Sequence, residues 1–375
     1  MANALIFLYL AVFPFGQLFR INLNVFHTLV TLQPIDIILG IALAYVLIKK
    51  YKWPKYFIYF LISSLFSFML FSVFHPSKLL FTGFLYFVRL AANIGFFVFV
   101  ANNFKTEKRK LNLLNCLLGV IVIVGIFGWL QYLLLPDLRF LKLFGWDDHL
   151  FRLVGSFLDP TYTGIILVIG FFISLGKKSY WLALSFLVTV AFTYSRASYL
   201  ALGGGLLVYA LWQRRYLLPI LALVIFGLTV LLLPRPSSEG VQLERTQSIY
   251  GRFRSYGEGL VILKSNPLFG VGFNNYCYAR QIYLGTNDLT SHACSGSDSS
   301  LLDILVTTGV IGITIFIGLV FAVLKLIKKD TYEVIFVTCS AAVFVHSFFS
   351  NSLFYSWVLS LMAILLGLST QSSEE

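Results

Sequence analysis

The chain has 375 residues, of which 58% are hydrophobic and only 12% are charged, with a formal net charge of +12. A water-soluble domain carries about 25% charged and about 45–50% apolar residues, so this composition excludes a soluble enzyme, a soluble nucleic-acid-binding protein and a secreted disulfide scaffold. The 38 Phe and 20 Tyr agree with a membrane protein, because aromatic residues are enriched at membrane interfaces. The sequence predicts an all-α polytopic membrane protein.

Twelve apolar segments predict about twelve transmembrane helices. A helix that crosses a ~30 Å hydrocarbon core needs roughly 20 residues, with a range of about 17–25. The first segment has no Lys or Arg before it and no small-residue cleavage site, so it is predicted to be a helix rather than a signal peptide. The segments lie near 3–19, 34–48, 56–74, 80–101, 111–134, 160–175, 179–195, 197–212, 216–234, 299–325, 332–350 and 352–370.

The short loops between these segments predict the orientation. Fifteen of the 28 Lys and Arg residues lie in alternate short loops, which places them all in the cytoplasm if the N-terminus is cytoplasmic. The chain is therefore predicted to be a multi-pass protein of a bacterial inner membrane with both termini in the cytoplasm. The fifteen cations are Lys49, Lys50, Lys52, Lys55, Lys105, Lys108, Arg109, Lys110, Lys177, Lys178, Arg214, Arg215, Lys325, Lys328 and Lys329.

The long polar stretch before the last three predicted helices divides the chain into three parts. Residues 1–234 are predicted to hold nine transmembrane helices. Residues 235–298 are predicted to form an extracytoplasmic loop with short amphipathic helices. Residues 299–375 are predicted to hold helices ten to twelve and a cytoplasmic tail.

The four cysteines fall into two pairs by environment. Cys277 and Cys294 share the predicted outer loop, where the compartment is oxidising, so a disulfide between them is predicted. Cys116 and Cys339 fall inside predicted helices and are interpreted as packing residues. No Cys or His spacing indicates a metal site, and His149, which follows two aspartates, is interpreted as part of a solvated loop cluster.

Two polar patches on the predicted outer side precede the sixth and eighth helices. In the first, Asp159 and Pro160 are typical of a helix start, whereas Arg152 near Gly155 is not explained by a cap. In the second, Arg196 lies in a tight turn at the membrane surface. A guanidinium there can hold a phosphate through two parallel hydrogen bonds. The alternative is an arginine that snorkels, extending its charged end to the membrane–water interface without binding a ligand.

The third patch lies in the long outer loop. It predicts an amphipathic helix from about 252 to 265, opened by Arg252 and Arg254 and ended by Pro267. Arginines oppose the helix dipole at an N-terminus, but that end of a helix favours bound anions, so a phosphate would explain them. A solvated helix face is the alternative.

The fourth patch leads into the tenth predicted helix. Asp298, or His292 six residues earlier, is placed where a base can take the proton from a sugar hydroxyl. Asp298 is also placed where a helix cap is expected, and both interpretations stay open. Within the membrane, Arg89, Asp303 and His346 are buried ionisable residues, which are usually paired or functional. For Arg89, structural pairing and a role in the active cavity are equally supported.

Taken in order, these patches resemble the O-antigen ligase and O-antigen polymerase superfamily of bacterial membrane glycosyltransferases. The resemblance is sharpest from about 150 to 312. It rests on the run from Arg152 to Phe157, the Ser195–Arg196 turn, and Arg252 or Arg254 before the glycines of 267–272. The ligase branch has His-Asn before a helix with Gly-x-x-Gly. Here Asp298 and Ser299 stand at that place, and some polymerases have Asp-Asn there.

The resemblance implies transfer of a glycan from a polyprenyl (undecaprenyl) diphosphate donor to an acceptor sugar hydroxyl at the outer face of the inner membrane, without a metal, a cofactor or a nucleotide sugar. The departure at Asp298 favours a polymerase. A ligase that transfers the glycan to lipid A-core is the alternative within the superfamily, and a lipid-linked glycan flippase is the alternative from another class. Asp298 or His292 is the expected base. The residues expected to bind diphosphate or glycan are Arg89, Arg152, Arg196, Arg252 and Arg254.

Overall fold

The computed structural model describes residues 2–25, 28–236, 238–286, 294, 296–327 and 330–370. Helices dominate this part of the chain, and twelve of them occupy the twelve apolar segments predicted from the sequence. Two more, α10 and α11, lie in the long polar stretch. The helices are α1 (Ala2–Val12), α2 (Pro34–Ile48), α3 (Lys55–Phe74), α4 (Leu80–Asn103), α5 (Glu107–Leu134), α6 (Pro160–Gly176), α7 (Tyr180–Ala191), α8 (Arg196–Gln213), α9 (Leu217–Leu232), α10 (Gln247–Ser265), α11 (Tyr276–Leu284), α12 (Ser300–Leu326), α13 (Thr331–His346) and α14 (Ser356–Ser369).

Within the described residues, four helices are long and apolar enough to cross a membrane by themselves: α3, α4, α5 and α12. The other apolar helices are shorter or less apolar, so a twelve-fold crossing of the membrane stays a prediction.

Local chemistry sets where the helices start, as α6 shows. Asp159 accepts a hydrogen bond from Thr161 N at 2.6 Å, and Pro160 occupies the first helical position.

The all-α prediction is wrong at one place. Ile21–Val25 and Thr28–Leu32 form an antiparallel pair of strands, β1 and β2, in which Ile21 is opposite Leu32. The sequence Ile-Asn-Leu-Asn-Val alternates with a period of two, which is typical of a strand. A five-residue alternation is a weaker signal than a long apolar run, which explains why the strands were not predicted.

The chain forms two compact units. Unit 1 consists of Met1–Phe19, Phe104–Thr246 and Lys328–His346. In it, α8 packs against α13, and α6 packs against α7 and α13. Unit 2 consists of Arg20–Asn103, Gln247–Ile327 and Ser347–Glu375. In it, α4 packs against α2 and α14, and α12 packs against α3 and α10.

Helix α12 is broken at Gly309, whose backbone has φ 69° and ψ −171°. The loop from 267 to 272 fills the break and supplies partners for the backbone groups on both sides of it. An unsatisfied backbone group is costly at membrane depth, and irregular backbone is tolerated there only when protein buries it. The hydrogen bonds run from Val271 N to Val306 O, from Gly272 N to Thr307 O, from Val310 N to Pro267 O and from Ile311 N to Leu268 O, at 2.9–3.2 Å.

Glycine is required where the loop meets the break. A Cβ on Gly309 would overlap the Leu268 carbonyl, and a Cβ on Gly270 would lie 2.5 Å from the carbonyl carbon of Thr307. Both residues also have positive φ, which disfavours other residues. The glycines of the loop therefore serve close backbone packing.

Candidate functional site

Arg152 is buried in unit 1 and bound to backbone. Its Nε donates to Thr193 O at 3.1 Å, and its Nη2 donates to Tyr194 O at 3.3 Å. It therefore holds the turn between α7 and α8. The first and second polar patches of the sequence are brought together here.

Arg196 and Arg245 tie a second segment to the same turn. Arg196 Nη1 donates to Leu243 O at 3.0 Å and to Arg245 O at 2.8 Å. Arg245 donates to Gly240 O at 2.7 Å through Nη1 and to Tyr194 O at 3.3 Å through Nη2. Sequence reasoning did not select Arg245, because nothing in its local pattern shows that the chain folds back onto the turn.

Positive charge is concentrated at this turn. Arg152 and Arg245 both donate to the carbonyl oxygen of Tyr194, so their guanidinium groups lie close together. Burial, followed by the charge of Arg245, lowers the pKa of Arg152 to about 9. Like charges held together in a buried place favour the approach of an anion.

His149 is buried beside these arginines, so the interpretation of a solvated loop cluster is wrong for it. Burial lowers its pKa to about 4, and Arg152 acts in the same direction, while Asp159 and Asp148 oppose the shift. The imidazole is therefore neutral at pH 7. Among the residues that the structure describes, no group of three His, Cys, Asp or Glu side chains is arranged to hold a metal ion.

The lowered pKa of His149 predicts acid sensitivity. A free imidazole titrates near pH 6.5, so between that pH and about 4 the unfolded chain binds more protons than the folded one. Folding stability should fall across this window as the pH falls, by at most about 3 kcal/mol. The thermal midpoint of His149→Gln should decline less steeply with acid than that of the unaltered protein. Equal slopes for the two proteins would contradict the assignment.

Arg252 and Arg254 lie on α10 in unit 2, but they do not open it. The helix begins at Gln247, five residues before the predicted start, so the argument from a helix N-terminus is wrong for both arginines. Arg252 Nε donates to Phe349 O at 3.0 Å, and its guanidinium lies 5.9 Å from the centre of the Phe349 ring. The Arg254 side chain is 83% exposed and pairs with Glu258 at 3.3 Å.

Arg280, on α11, is a second arginine that sequence reasoning did not select. Its Nε lies 3.0 Å from Glu258, which therefore holds two arginines. Arg280 is buried, and within the described residues its Nη1 has no hydrogen-bond partner. Its isolated position in the sequence gives no sign of this burial.

Asp298 is exposed beside α10, and its backbone N–H donates to Ser255 Oγ at 3.1 Å. Ser255 is the neighbour of Arg254, so unit 2 brings the third and fourth patches together. The interpretation of Asp298 as a helix cap is wrong, because the cap of α12 is Ser299, whose hydroxyl accepts from Leu302 N. His292 lies outside the described residues.

Asp303 is buried on the first turn of α12 and accepts a hydrogen bond from the segment that carries Asp298. One of its carboxylate oxygens accepts from Ser297 N at 3.1 Å, and the carboxylate also bonds the side chain of Asn351. Asp303 thus fixes the backbone directly before α12. His346 is likewise buried, at the last residue of α13.

Arg89 is paired within unit 2. Its Nη2 lies 2.7 Å from Asp36 Oδ2 and donates to Thr31 O at 2.6 Å, and its guanidinium lies 4.6 Å from the centre of the Tyr86 ring. The pair joins α4 to the start of α2. The structure thus gives Arg89 a structural partner, and a role in glycan binding stays a prediction.

A disulfide joins Cys277 on α11 to Cys294. The interpretation of Cys116 as a packing residue is wrong, since its side chain is exposed, whereas Cys339 is buried.

A thiol reagent applied to the denatured, non-reduced protein should label Cys116 and Cys339 only, and it should label all four cysteines after reduction. Closing this loop should contribute about 2–4 kcal/mol to stability. Labelling of Cys277 and Cys294 without reduction would contradict the pairing.

The apolar helices make the chain a membrane protein. Residues 181–317 match the family model described as O-antigen ligase. The predicted resemblance to the O-antigen ligase and polymerase superfamily is thereby confirmed. A comparison with curated proteins gave no match.

The matched region contains both helical arginines of α10, the turn that carries Arg196, and Asp298. Arg89 and Arg152 lie outside it. A family of this kind implies an enzyme that transfers glycans between lipid-linked and acceptor molecules.

Proposed function

We propose that the protein transfers a glycan from a polyprenyl diphosphate donor to the hydroxyl of an acceptor sugar at the outer face of a bacterial inner membrane, in the manner of an O-antigen polymerase. The observation that carries the proposal is the family match over residues 181–317. It includes Arg254 and Asp298, and the backbone N–H of Asp298 donates to the side chain of Ser255, the residue that follows Arg254 in α10.

The cations supply the electrostatic part of the reaction. Negative charge builds up on the diphosphate as its bond to the anomeric carbon breaks, and fixed positive groups stabilise such charge strongly in a site that excludes water. Arg254 is the arginine best suited to direct contact, because its side chain is exposed and its contact with Glu258 is at the surface. Arg252, on the same helix, is proposed to contribute, although it also donates to a backbone carbonyl. Arg152 and Arg196, in unit 1, are each proposed to bind an anionic group of the substrate, although both also donate to backbone carbonyls.

Asp298 is proposed as the base. Its carboxylate accepts the proton of the acceptor hydroxyl while the hydroxyl oxygen forms a bond to the anomeric carbon, and the bonding electrons of the broken bond leave with the diphosphate. An exposed carboxylate that does not cap the helix supports this role. His292 is the alternative base.

A groove on the surface of unit 2 is proposed to receive the polyprenyl chain. It has a volume of about 290 Å³ and lies between α3 and α12, beside the break at Gly309. Aromatic and aliphatic side chains line it, among them Tyr59, Phe66, Phe269 and Ile311. Apolar contact of this kind suits an isoprenoid chain, because burial of apolar surface is its main source of affinity.

Reconstitution of the purified protein separates the candidate functions. With a lipid-linked repeat unit alone, a polymerase yields a ladder of longer lipid-linked glycans. Lengthening of lipid A-core, seen only when lipid A-core is added, would assign the ligase activity instead. Movement of the lipid-linked unit across vesicles with no new glycosidic bond would assign the flippase activity and overturn the proposal.

A further inference from the structure

The backbone around Asp298 is held by a hydrogen bond at every amide from Ser297 to Ser300, although helix α12 begins only at Ser300. A connecting segment outside regular structure usually lacks such complete support. The bonds run from Ser297 N to Asp303 Oδ1, from Asp298 N to Ser255 Oγ, from Ser299 N to Ser297 Oγ and from Ser300 N to Ser347 O, at 2.8–3.4 Å.

This segment packs its serines into unit 2 and leaves Asp298 at the surface. Ser297, Ser299 and Ser300 are buried, whereas Asp298 is exposed. Because its neighbours on both sides are packed and bonded, the backbone of Asp298 has little freedom to move. The place from which the Asp298 side chain extends is therefore set by these backbone bonds.

Asp303 differs from the other acceptors of these bonds, because it alone is ionisable. It is only 4% exposed, and among the described residues no Lys or Arg forms an ion pair with it. A buried carboxylate is costly unless it is well hydrogen-bonded, and in a membrane protein such a residue is usually paired or functional.

The bond that Asp303 accepts serves the segment before α12 rather than the helix. Ser299 already caps α12 through its hydroxyl, and Ser297 lies outside the helix. A Cβ on Gly296 would lie 2.6 Å from Asp303 Oδ1, so the chain before Asp298 passes directly against this carboxylate. Asp303 is thus placed to fix the backbone that carries Asp298.

We propose that Asp303 is a positioning residue for Asp298 and fixes the backbone that presents the Asp298 carboxylate to the acceptor hydroxyl. This inference rests on the proposed function, in which Asp298 is the base. A base must come within about 2.6–3.2 Å of the group whose proton it takes, and a displacement of about 1 Å can lower the rate by about 10²-fold. Asp303 itself does not touch the substrate in this role.

Transfer from a lipid-linked repeat unit by the purified full-length protein tests the role. Asp303→Ala removes the acceptor for Ser297 N and should lower kcat by about 10²-fold, with little change in the KM for the donor. Asp303→Asn keeps an acceptor oxygen at the same place and should recover most of the rate. The matched control is Ile304→Val at the next, fully buried residue of α12, which should lower the thermal midpoint without lowering kcat.

A double-mutant cycle separates positioning from a merely structural role. In the Asp298→Asn background no base remains to be positioned, so Asp303→Ala should cause no further loss of transfer. Loss by the same factor in both backgrounds would mean that Asp303 only stabilises the fold and would overturn the proposal. If Asp303→Ala does not fold, Gly296→Ala replaces it in the cycle, because the added Cβ would push the same segment away from the carboxylate.

The same variants distinguish this inference from the proposed function. Normal transfer by Asp303→Ala together with loss by Asp298→Asn would overturn the positioning role and leave the base assignment in place. Normal transfer by Asp298→Asn would overturn the base assignment and the positioning role with it. Hydrogen exchange at the amides of 297–300 checks the structural step without activity. Exchange should be faster in Asp303→Ala than in Asp303→Asn, and equal exchange in the two variants would contradict the role of Asp303.

Discussion

Replacing Asp298 with asparagine is expected to lower glycan transfer by about 10²–10⁴-fold while the protein still folds and still binds its donor. An acceptor hydroxyl is a weak nucleophile until its proton has an acceptor, and asparagine keeps the shape of aspartate without its basicity. Because the N-cap residue of α12 is Ser299, the Asp298→Asn variant tests basicity rather than capping. Product formation and donor binding by the purified variant are the two measurements.

Two further variants make the assignment of the base specific. Ser299→Ala removes the cap and should cost about 1 kcal/mol of stability with transfer retained, which separates helix capping from catalysis. His292→Ala should have little effect. If His292→Ala is inactive and Asp298→Asn is nearly silent, the base is His292, and activity should then fall in acid as the imidazole is protonated.

Replacing Arg254 with alanine is expected to lower transfer by about 10- to 150-fold, which corresponds to the loss of about 1.5–3 kcal/mol from one charge-assisted contact to phosphate. The thermal midpoint should hardly change, because the side chain is exposed and an exposed i,i+4 ion pair contributes little to stability. Arg254→Lys keeps the positive charge but not the bidentate hydrogen bonding of the guanidinium, so it should recover only part of the activity.

The matched control for Arg254 is Arg139, a second exposed arginine in a surface ion pair, with Asp137. Arg139→Ala should transfer glycan normally. Arg196→Ala should lose transfer and also some stability, since its guanidinium holds the backbone at Leu243 and Arg245. Normal product from Arg254→Ala would remove the diphosphate contact from the proposed mechanism.

The twelve helices outside the long polar stretch were predictable from sequence because each occupies an apolar run bounded by polar residues, and a helix satisfies its own backbone hydrogen bonds in lipid. The strands from Ile21 to Leu32 were missed because they are short and their alternation is a weaker signal. The start of α10 was placed five residues too late, although Thr246, directly before Gln247, is a typical N-cap residue.

The candidate site was only partly predictable, because tertiary contacts decide much of it. Sequence selected Arg254 and Asp298 from their local setting, but the hydrogen bond from Asp298 N to Ser255, the neighbour of Arg254, is visible only in the fold. Arg245 and Arg280 were missed for the same reason. The contact of Arg245 with Tyr194 O and the ion pair of Arg280 with Glu258 both join residues that are distant in the sequence. The break at Gly309 depends on residues 267–272, about forty positions earlier.

The break in α12 also bears on how the protein is assembled during synthesis. The nine residues from 300 to 308 extend for only about 13 Å as a helix, which is far less than the thickness of the hydrocarbon core. Their last carbonyls are satisfied by the loop from 267 to 272 rather than by the next turn of helix. Because the loop leaves the ribosome first, it is available when the broken helix enters the bilayer. Membrane integration of α12 and folding of the polar segment before it are therefore a single event, and a chain whose loop is altered at Gly270 should be degraded as an unassembled membrane protein.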